Sequence, residues 1–277
     1  MKRAVPDHSS QLRISFPADH VLLLTFNRPK SLNAMTPEMT EGIERILDWF
    51  EEQEDLWVVV FTGAGRIFCA GADLIAWDKH QQNGDSSEQA RLAADRHGFG
   101  SISRRQSRKP MIAAVNGGAY GGGTEIALNC DLVVAAQGAK FALPEVKRGV
   151  IAAAGGIPRL ARLAGHQLAS ELLLLGRTIT AEDARARFGF VNAVVPASEV
   201  VVTAVRLAKE VTKSSPDAVQ STKRGLLMAQ DLGTEEAYNQ HIWAPETTRA
   251  YKSENIKEGL RAFAEKRSPK WGNPAKL

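Results

Sequence analysis

Five glycines fall within seven positions in the stretch Gly117-Gly118-Ala119-Tyr120-Gly121-Gly122-Gly123, and one carboxylate, Glu125, follows two residues later. Glycine surrenders more backbone freedom on folding than any other residue, so this density marks a place where bare main chain is needed. The strand-like Met111–Asn116 precedes the run and the apolar Ile126-Ala127-Leu128 continues it, which puts the glycines at a strand-to-helix junction. Peptide N–H groups at a helix start favour negative charge. Glu125 then sits in the first helical turn. Its bland role there is to complement the helix dipole. Its chemical role would be acid/base work, because desolvation among apolar neighbours raises a carboxyl pKa.

The remaining pattern alternates strands with helices, which implies an α/β architecture. Leu12, Ile14 and Phe16 alternate ahead of a turn at residues 17–20, and Val21–Phe26 reads as a buried strand. Thr36 can cap a helix with Pro37 in its first position and Met39, Ile43, Ile46, Leu47 and Phe50 on one face. Buried strands follow at residues 56–63, 111–116 and 131–136, with helices near 124–129 and 160–175. Residues 75–108 are polar and weakly periodic, and read as a helical insertion or lid; Trp77, His80 and His97 lie there, each histidine expected at the surface. Beyond residue 197 the pattern is helix after helix. The expected organisation is a core over residues 1–196 and a helical region over 197–277 that covers a site or builds an oligomer.

Composition narrows the classes further. A hydrophobic share of 44% with 24% charged residues suits a globular protein, and no apolar run nears the length of a membrane span. Cys69 and Cys130 stand in no metal-ligand spacing, so neither zinc nor a disulfide framework is expected. A formal charge of +4 helps hold a small polyanion but is too weak and dispersed for nucleic acid. The last residues, Ala275-Lys276-Leu277, are a one-residue variant of the Ser-Lys-Leu peroxisomal address, on a tail expected to be disordered and open to an import receptor.

Two more stretches carry possible chemistry. Phe68-Cys69-Ala70-Gly71-Ala72-Asp73 is a run of small residues after a strand, suited either to a plain turn or to amides approaching a ligand. Pro144-Glu145 is either a routine helix start or a second carboxylate for Glu125, since the two bracket the strand-like Leu132–Ala136. The Gly-x-Gly of residues 63–65 lacks the third glycine of a dinucleotide fingerprint, Phe68 standing in its place.

Taken in order, LTFNRPKSLNAM (24–35), FCAGADL (68–74), the segment 109–136, AKFALPEVKRGV (139–150), GGIPRLARLAG (155–165), the segment 176–196 and EGLRAFAEKRSPKW (258–271) resemble the enoyl-CoA hydratase/isomerase (crotonase) superfamily. The resemblance implies a spiral of repeated ββα units whose C-terminal helices trimerise, with trimers often stacking into hexamers. It implies an acyl-CoA thioester as substrate, no permanently bound cofactor and no metal. The peptide N–H groups of Ala72 and Gly122 map onto the oxyanion hole, and Glu125 and Glu145 onto the two glutamates of the hydratases. Arg28, Lys30, Ala70, Asp73 and Leu74 resemble the CoA-binding surface, while Phe263 and Lys266 resemble a C-terminal pair that reaches the nucleotide end from a neighbouring subunit.

The expected reaction is reversible hydration of a 2-enoyl-CoA. A Δ3,Δ2-enoyl-CoA isomerase, which can work with one carboxylate, is the alternative within enzymes. A non-catalytic or RNA-binding relative is the alternative outside them, disfavoured by the acidic first helix. The chain departs from the family at Ala152-Ala153-Ala154, where many hydratases carry Pro-Gly-Ala, and at Ile75, where a lysine is common.

Overall fold

The apolar runs become the strands of two sheets in a computed structural model that describes residues 4–73 and 88–276. An antiparallel hairpin of β1 (Leu12–Ala18) and β2 (Val21–Phe26) opens the chain, its turn made at Asp19 and His20. A register shift between Ser15 and Ala18 disturbs the alternation, so Leu12 is buried while Phe16 is not. Then come α1 (Pro37–Glu52), β3 (Val58–Gly63), β4 (Ile67–Cys69) and α2 (Glu88–Ala94). Next are β5 (Met111–Val115), β6 (Gly118–Tyr120), α3 (Gly122–Asn129), β7 (Leu132–Ala136) and β8 (Lys140–Ala142). The helices α4 (Gly156–Ala164) and α5 (His166–Leu173) lead to β9 (Thr178–Thr180), α6 (Ala181–Ala186) and β10 (Ala193–Val195). After these, the helices are α7 (Val200–Val211), α8 (Pro216–Asp231), α9 (Thr234–Ile242), α10 (Pro245–Lys252) and α11 (Glu254–Ala264).

From β3 to β8 the chain deals its strands alternately to the two sheets. The larger has the order β1-β2-β3-β5-β7-β10, parallel from β2 onward, and the smaller has the order β4-β6-β8-β9. In the smaller sheet β4, β6 and β8 run parallel and β9 antiparallel. Parallel strands covered on both faces have no solvent side and read as unbroken apolar runs. All residues of β3 and β5 are accordingly buried.

The first helix follows from its sequence. Thr36 accepts the Met39 N–H at 3.2 Å, Pro37 occupies the first position, and Met39, Ile43, Ile46, Leu47 and Phe50 are all buried. At roughly 2 kcal/mol for each side chain so buried, packing and not propensity holds α1 in place. Farther on, α7 lies over β3, β5 and β7, and the small Ala204 and Ala208 let it approach closely. None of the described helices is long and apolar enough to cross a membrane.

Two sequence expectations are corrected here. Of the stretch read as a helical insertion or lid, residues 75–87 lie outside the described residues and Glu88–Ala94 is a helix, but farther on Gly98, Ser101, Ile102, Ser103 and Arg105 are buried in the core. Asn129 Nδ2 donates to the carbonyls of Ile102 and Arg105, and Ser103 Oγ donates to the Ala154 carbonyl. Trp77 and His80 lie outside the described residues, and His97 is half-buried. The tail, expected to be disordered, is tied down although it forms no helix or strand. Asp217, buried at the start of α8, accepts from Asn255 Nδ2 at 2.7 Å and from the Ala275 N–H at 3.0 Å. Asn255 Oδ1 takes the Gly272 N–H, and the Trp271 indole donates to the Lys213 carbonyl. The tail's polar side chains do look solvated, and Lys270, Asn273 and Lys276 are exposed, but its backbone N–H groups at Gly272 and Ala275 are held by the buried Asn255 and Asp217.

Candidate active site

Because β4, β6 and β8 are parallel neighbours, the loops after their C-terminal ends lie side by side, the usual position of a ligand site in such sheets. The loop after β4 is Ala70–Asp73, the turn after β6 is Gly121 entering α3, and the turn after β8 is Leu143-Pro144-Glu145. Glu125 and Glu145 therefore meet because their preceding strands pair. The strand they bracket in sequence, β7, belongs to the other sheet.

Glu125 is 3% exposed, and its Oε1 accepts the Gly156 N–H at 2.9 Å from the start of α4. Burial pushes its carboxyl up from 4.5 to about 7; the Gly156 amide opposes that, Glu145 reinforces it, and the Ala154 amide and Arg159 oppose it again. A group near 7 populates both its acid and its base form under neutral conditions, as acid/base work requires. Glu145 begins a short 3₁₀ turn, Glu145–Arg148. Its Oε2 is buried without a hydrogen-bond partner among the described residues, and desolvation raises its pKa too. An orphaned buried carboxylate oxygen is costly, which favours a site that awaits a proton or a ligand.

Gly121 stands between the two acids. Its carbonyl accepts the Glu125 N–H at 3.1 Å, and its backbone has φ +53° and ψ −126°, a conformation suited to glycine. A methyl on its α-carbon would lie 3.0 Å from Glu145 Oε1. At Gly122 a methyl would fall 2.3 Å from the Phe99 ring, so the aromatic side chain packs directly on main chain.

Two amides complete the arrangement. Ala72 forms a parallel bridge with Met35, in which Met35 donates to the Gly71 carbonyl at 2.9 Å and the Asp73 N–H donates to Met35 at 3.3 Å. Such a bridge leaves the central residue's own N–H facing away. At Gly122, the first residue of α3, the N–H has no carbonyl within the helix to meet. The two loops touch: a methyl on Gly71 would lie 2.9 Å from the Tyr120 carbonyl oxygen and 3.8 Å from the Gly122 nitrogen.

The other expected residues are spread more widely. Arg28 is anchored, its Nη1 donating to the Ala34 carbonyl at 2.6 Å and pairing with Asp73 at 3.5 Å. Lys30 is exposed, Ala70 is half-buried with its N–H on the Leu32 carbonyl, and Leu74 lies outside the described residues. Phe263 is 87% exposed on α11, and Lys266 is exposed just beyond it. Neither joins Glu125 within one chain's described contacts. Sequence reasoning missed Phe99, Ser103 and Arg159. Only Arg159 lay inside a quoted motif, and nothing in that motif tells a guanidinium near a carboxylate from a solvated one. Among the described residues no cluster of three His, Cys, Asp or Glu could hold a metal.

A ββα spiral whose strand-end loops meet over two carboxylates and two amides defines a crotonase-type α/β protein. Residues 18–274 match the profile of the Enoyl-CoA hydratase/isomerase family. The chain is 41% identical over 264 residues to mevalonyl-coenzyme A hydratase of Aspergillus fumigatus, covering 95% of each protein. To the mevalonyl-coenzyme A hydratase of Beauveria bassiana it is 45% identical over 265 residues, 93% of each. The crystal structure of an enoyl-CoA hydratase from Mycobacterium tuberculosis H37Rv superposes with a TM-score of 0.85 at 34% identity, over 95% of this chain and 99% of that one. The chain belongs to the enoyl-CoA hydratase/isomerase family.

Proposed function

We propose that this hydratase-type lyase adds water across the double bond of a 2-enoyl-CoA, and removes it in reverse, with Glu125 and Glu145 as its acid/base pair. The observation that carries the assignment is the pairing of Glu125, held near neutrality by burial, with the orphaned oxygen of Glu145 across Gly121. The thioester oxygen accepts hydrogen bonds from the Ala72 and Gly122 amides, which act as the negative charge of the enolate develops. One such donor is worth about 10²–10³ in rate, and a main-chain donor cannot be removed by substitution. Glu125, as carboxylate, takes a proton from the water that attacks C3. Glu145, as acid, delivers a proton to C2. The reverse direction exchanges the two roles.

Arg28, Lys30, Ala70, Asp73 and Leu74 form the proposed CoA surface on this chain, with Phe263 and Lys266 contributed to a neighbouring copy. The exposed apolar side chains of Leu226, Tyr238, Trp243, Leu260 and Phe263 on and beside the C-terminal helices support assembly into trimers or paired trimers. Where Leu277 is the free carboxyl end, Ala275-Lys276-Leu277 is the proposed peroxisomal address. For the acyl group, a branched, hydroxylated thioester is the first candidate, a reading supported by two similar proteins named mevalonyl-coenzyme A hydratase.

The test is loss of the conjugated thioester absorbance with a panel of short, long, branched and hydroxylated 2-enoyl-CoA substrates. Glu125→Gln and Glu145→Gln should each lose about 10²-fold or more of the hydration rate. Retention of near-full activity in either variant points to a one-carboxylate isomerase and refutes the assignment.

A further inference from the structure

We infer that Arg159 is a positioning residue for hydration, acting on Glu125 through the one peptide group that joins Gly155 to Gly156. The N–H of that peptide donates to Glu125 Oε1 at 2.9 Å. Its carbonyl faces the opposite way and accepts Arg159 Nη1 at 3.4 Å as well as the Arg159 backbone N–H at 3.4 Å. A cation on the oxygen and a carboxylate on the hydrogen polarise the same amide in the same sense, and hydrogen bonds in such chains strengthen one another. The inference rests on Glu125 being the group whose ionisation hydration needs.

Three features make a merely structural arginine an unsatisfying account. Arg159 stands near the N-terminus of α4, where the helix dipole disfavours a cation. It is half-buried, and among the described residues no carboxylate lies within ion-pair distance of it. And the guanidinium lies directly against Gly155, 2.1 Å from where a methyl there would sit, at a backbone whose φ of +108° favours glycine. The charged groups that act on Glu125 are Glu145, which raises its pKa, and Arg159, which lowers it. Those acting on Arg159 are Glu125 and Asp231, which favour its charge, Arg104, which opposes it, and the Cys130 thiol.

The signs make the inference testable. Arg159 favours the carboxylate form of Glu125, so its removal lets that pKa rise. In Arg159→Gln the acidic limb of the kcat–pH profile should move up by about half to one pH unit, with a several-fold loss of kcat at neutral pH and little change in KM. Arg159→Lys, which keeps the charge, should restore most of the limb's position. A folded Arg159→Gln enzyme with an unmoved limb overturns the inference, as does an Arg159→Lys enzyme whose limb moves as far as that of the glutamine variant. Glu125→Gln is assayed alongside. If it stays active, the role of Glu125 itself fails; if it is inactive while the limb stays put in Arg159→Gln, only the role of Arg159 fails.

Discussion

Replacing Glu125 by glutamine should make this protein less active and more stable, and the gain in stability should depend on pH. The carboxyl group ionises near its ordinary 4.5 in the unfolded chain and near 7 in the folded one. Between those pH values the folded state holds a proton that the unfolded state has released. Stability therefore falls as pH rises through that window, and the whole loss is present above about pH 7. At about 1.4 kcal/mol per pH unit, a difference of roughly 2.5 units leaves the wild type roughly 3 kcal/mol less stable at pH 8 than at pH 4 on this account. Glutamine has nearly the same shape, keeps an oxygen to accept the Gly156 N–H, and never ionises.

At pH 5 the two proteins should then differ by about 1 kcal/mol or less. At pH 8 the variant should lead by roughly 2–3 kcal/mol, a gain of about 5 °C in Tm for a chain of this size. The repulsion from Glu145 is one of the causes of the raised value and is already contained in that figure. Paired thermal unfolding of both proteins at pH 5, 6, 7 and 8 measures the effect as a widening offset. An offset constant across that range, or one that narrows with rising pH, would show that the folded protein imposes no ionisation cost at residue 125.

Two further outcomes follow from particular contacts. Gly121→Ala must force a side chain into a backbone conformation with φ +53° and within 3.0 Å of Glu145 Oε1; it should cost about 1–3 kcal/mol and at least tenfold in kcat, read by unfolding and by the hydration assay. Asn255→Ala removes the amide that links buried Asp217 to the tail at Gly272; stability should drop by about 1–3 kcal/mol and proteolysis near Trp271 should accelerate, with hydration kcat in the folded enzyme unchanged.

The extent to which these features can be read from sequence depends on element length. The cap at Thr36, the apolar stripe of α1 and the long strands β2, β3, β5 and β7 each carry enough residues to show a period or a run. The small sheet does not. Its strands Ile67–Cys69, Gly118–Tyr120, Lys140–Ala142 and Thr178–Thr180 have three residues each, too few for any periodic signal. Yet that sheet assembles the site, so the meeting of Glu125 with Glu145 was visible only through family resemblance. Spacing points only to the bracketed strand β7, which belongs to the other sheet. The tail misleads for a different reason: its exposed Asn and Lys side chains signal solvation, while what ties it down is backbone N–H groups on the buried Asp217 and Asn255, which composition does not show.

The same contrast between side chain and main chain explains the departure at Ala152-Ala153-Ala154. What Glu125 requires from this loop is two donors, the Gly156 N–H at 2.9 Å and the amide of Ala154, and neither depends on the side chain at 152 or 153. Ala152 and Ala154 are buried, and Ser103 holds the Ala154 carbonyl at 2.8 Å from behind. Three small residues and one serine thus keep the amides in place. A loop that lacks the proline and glycine common in the family still delivers its hydrogen bonds, because the carboxylate reads backbone direction and not residue type. The same holds at Ala72 and Gly122, where the peptide, not the side chain, meets the thioester in the proposed site. Substitution in such a loop is tolerated as long as it leaves the N–H vectors unchanged; Gly121 and Gly155, whose positive φ values set those vectors, are where tolerance should end.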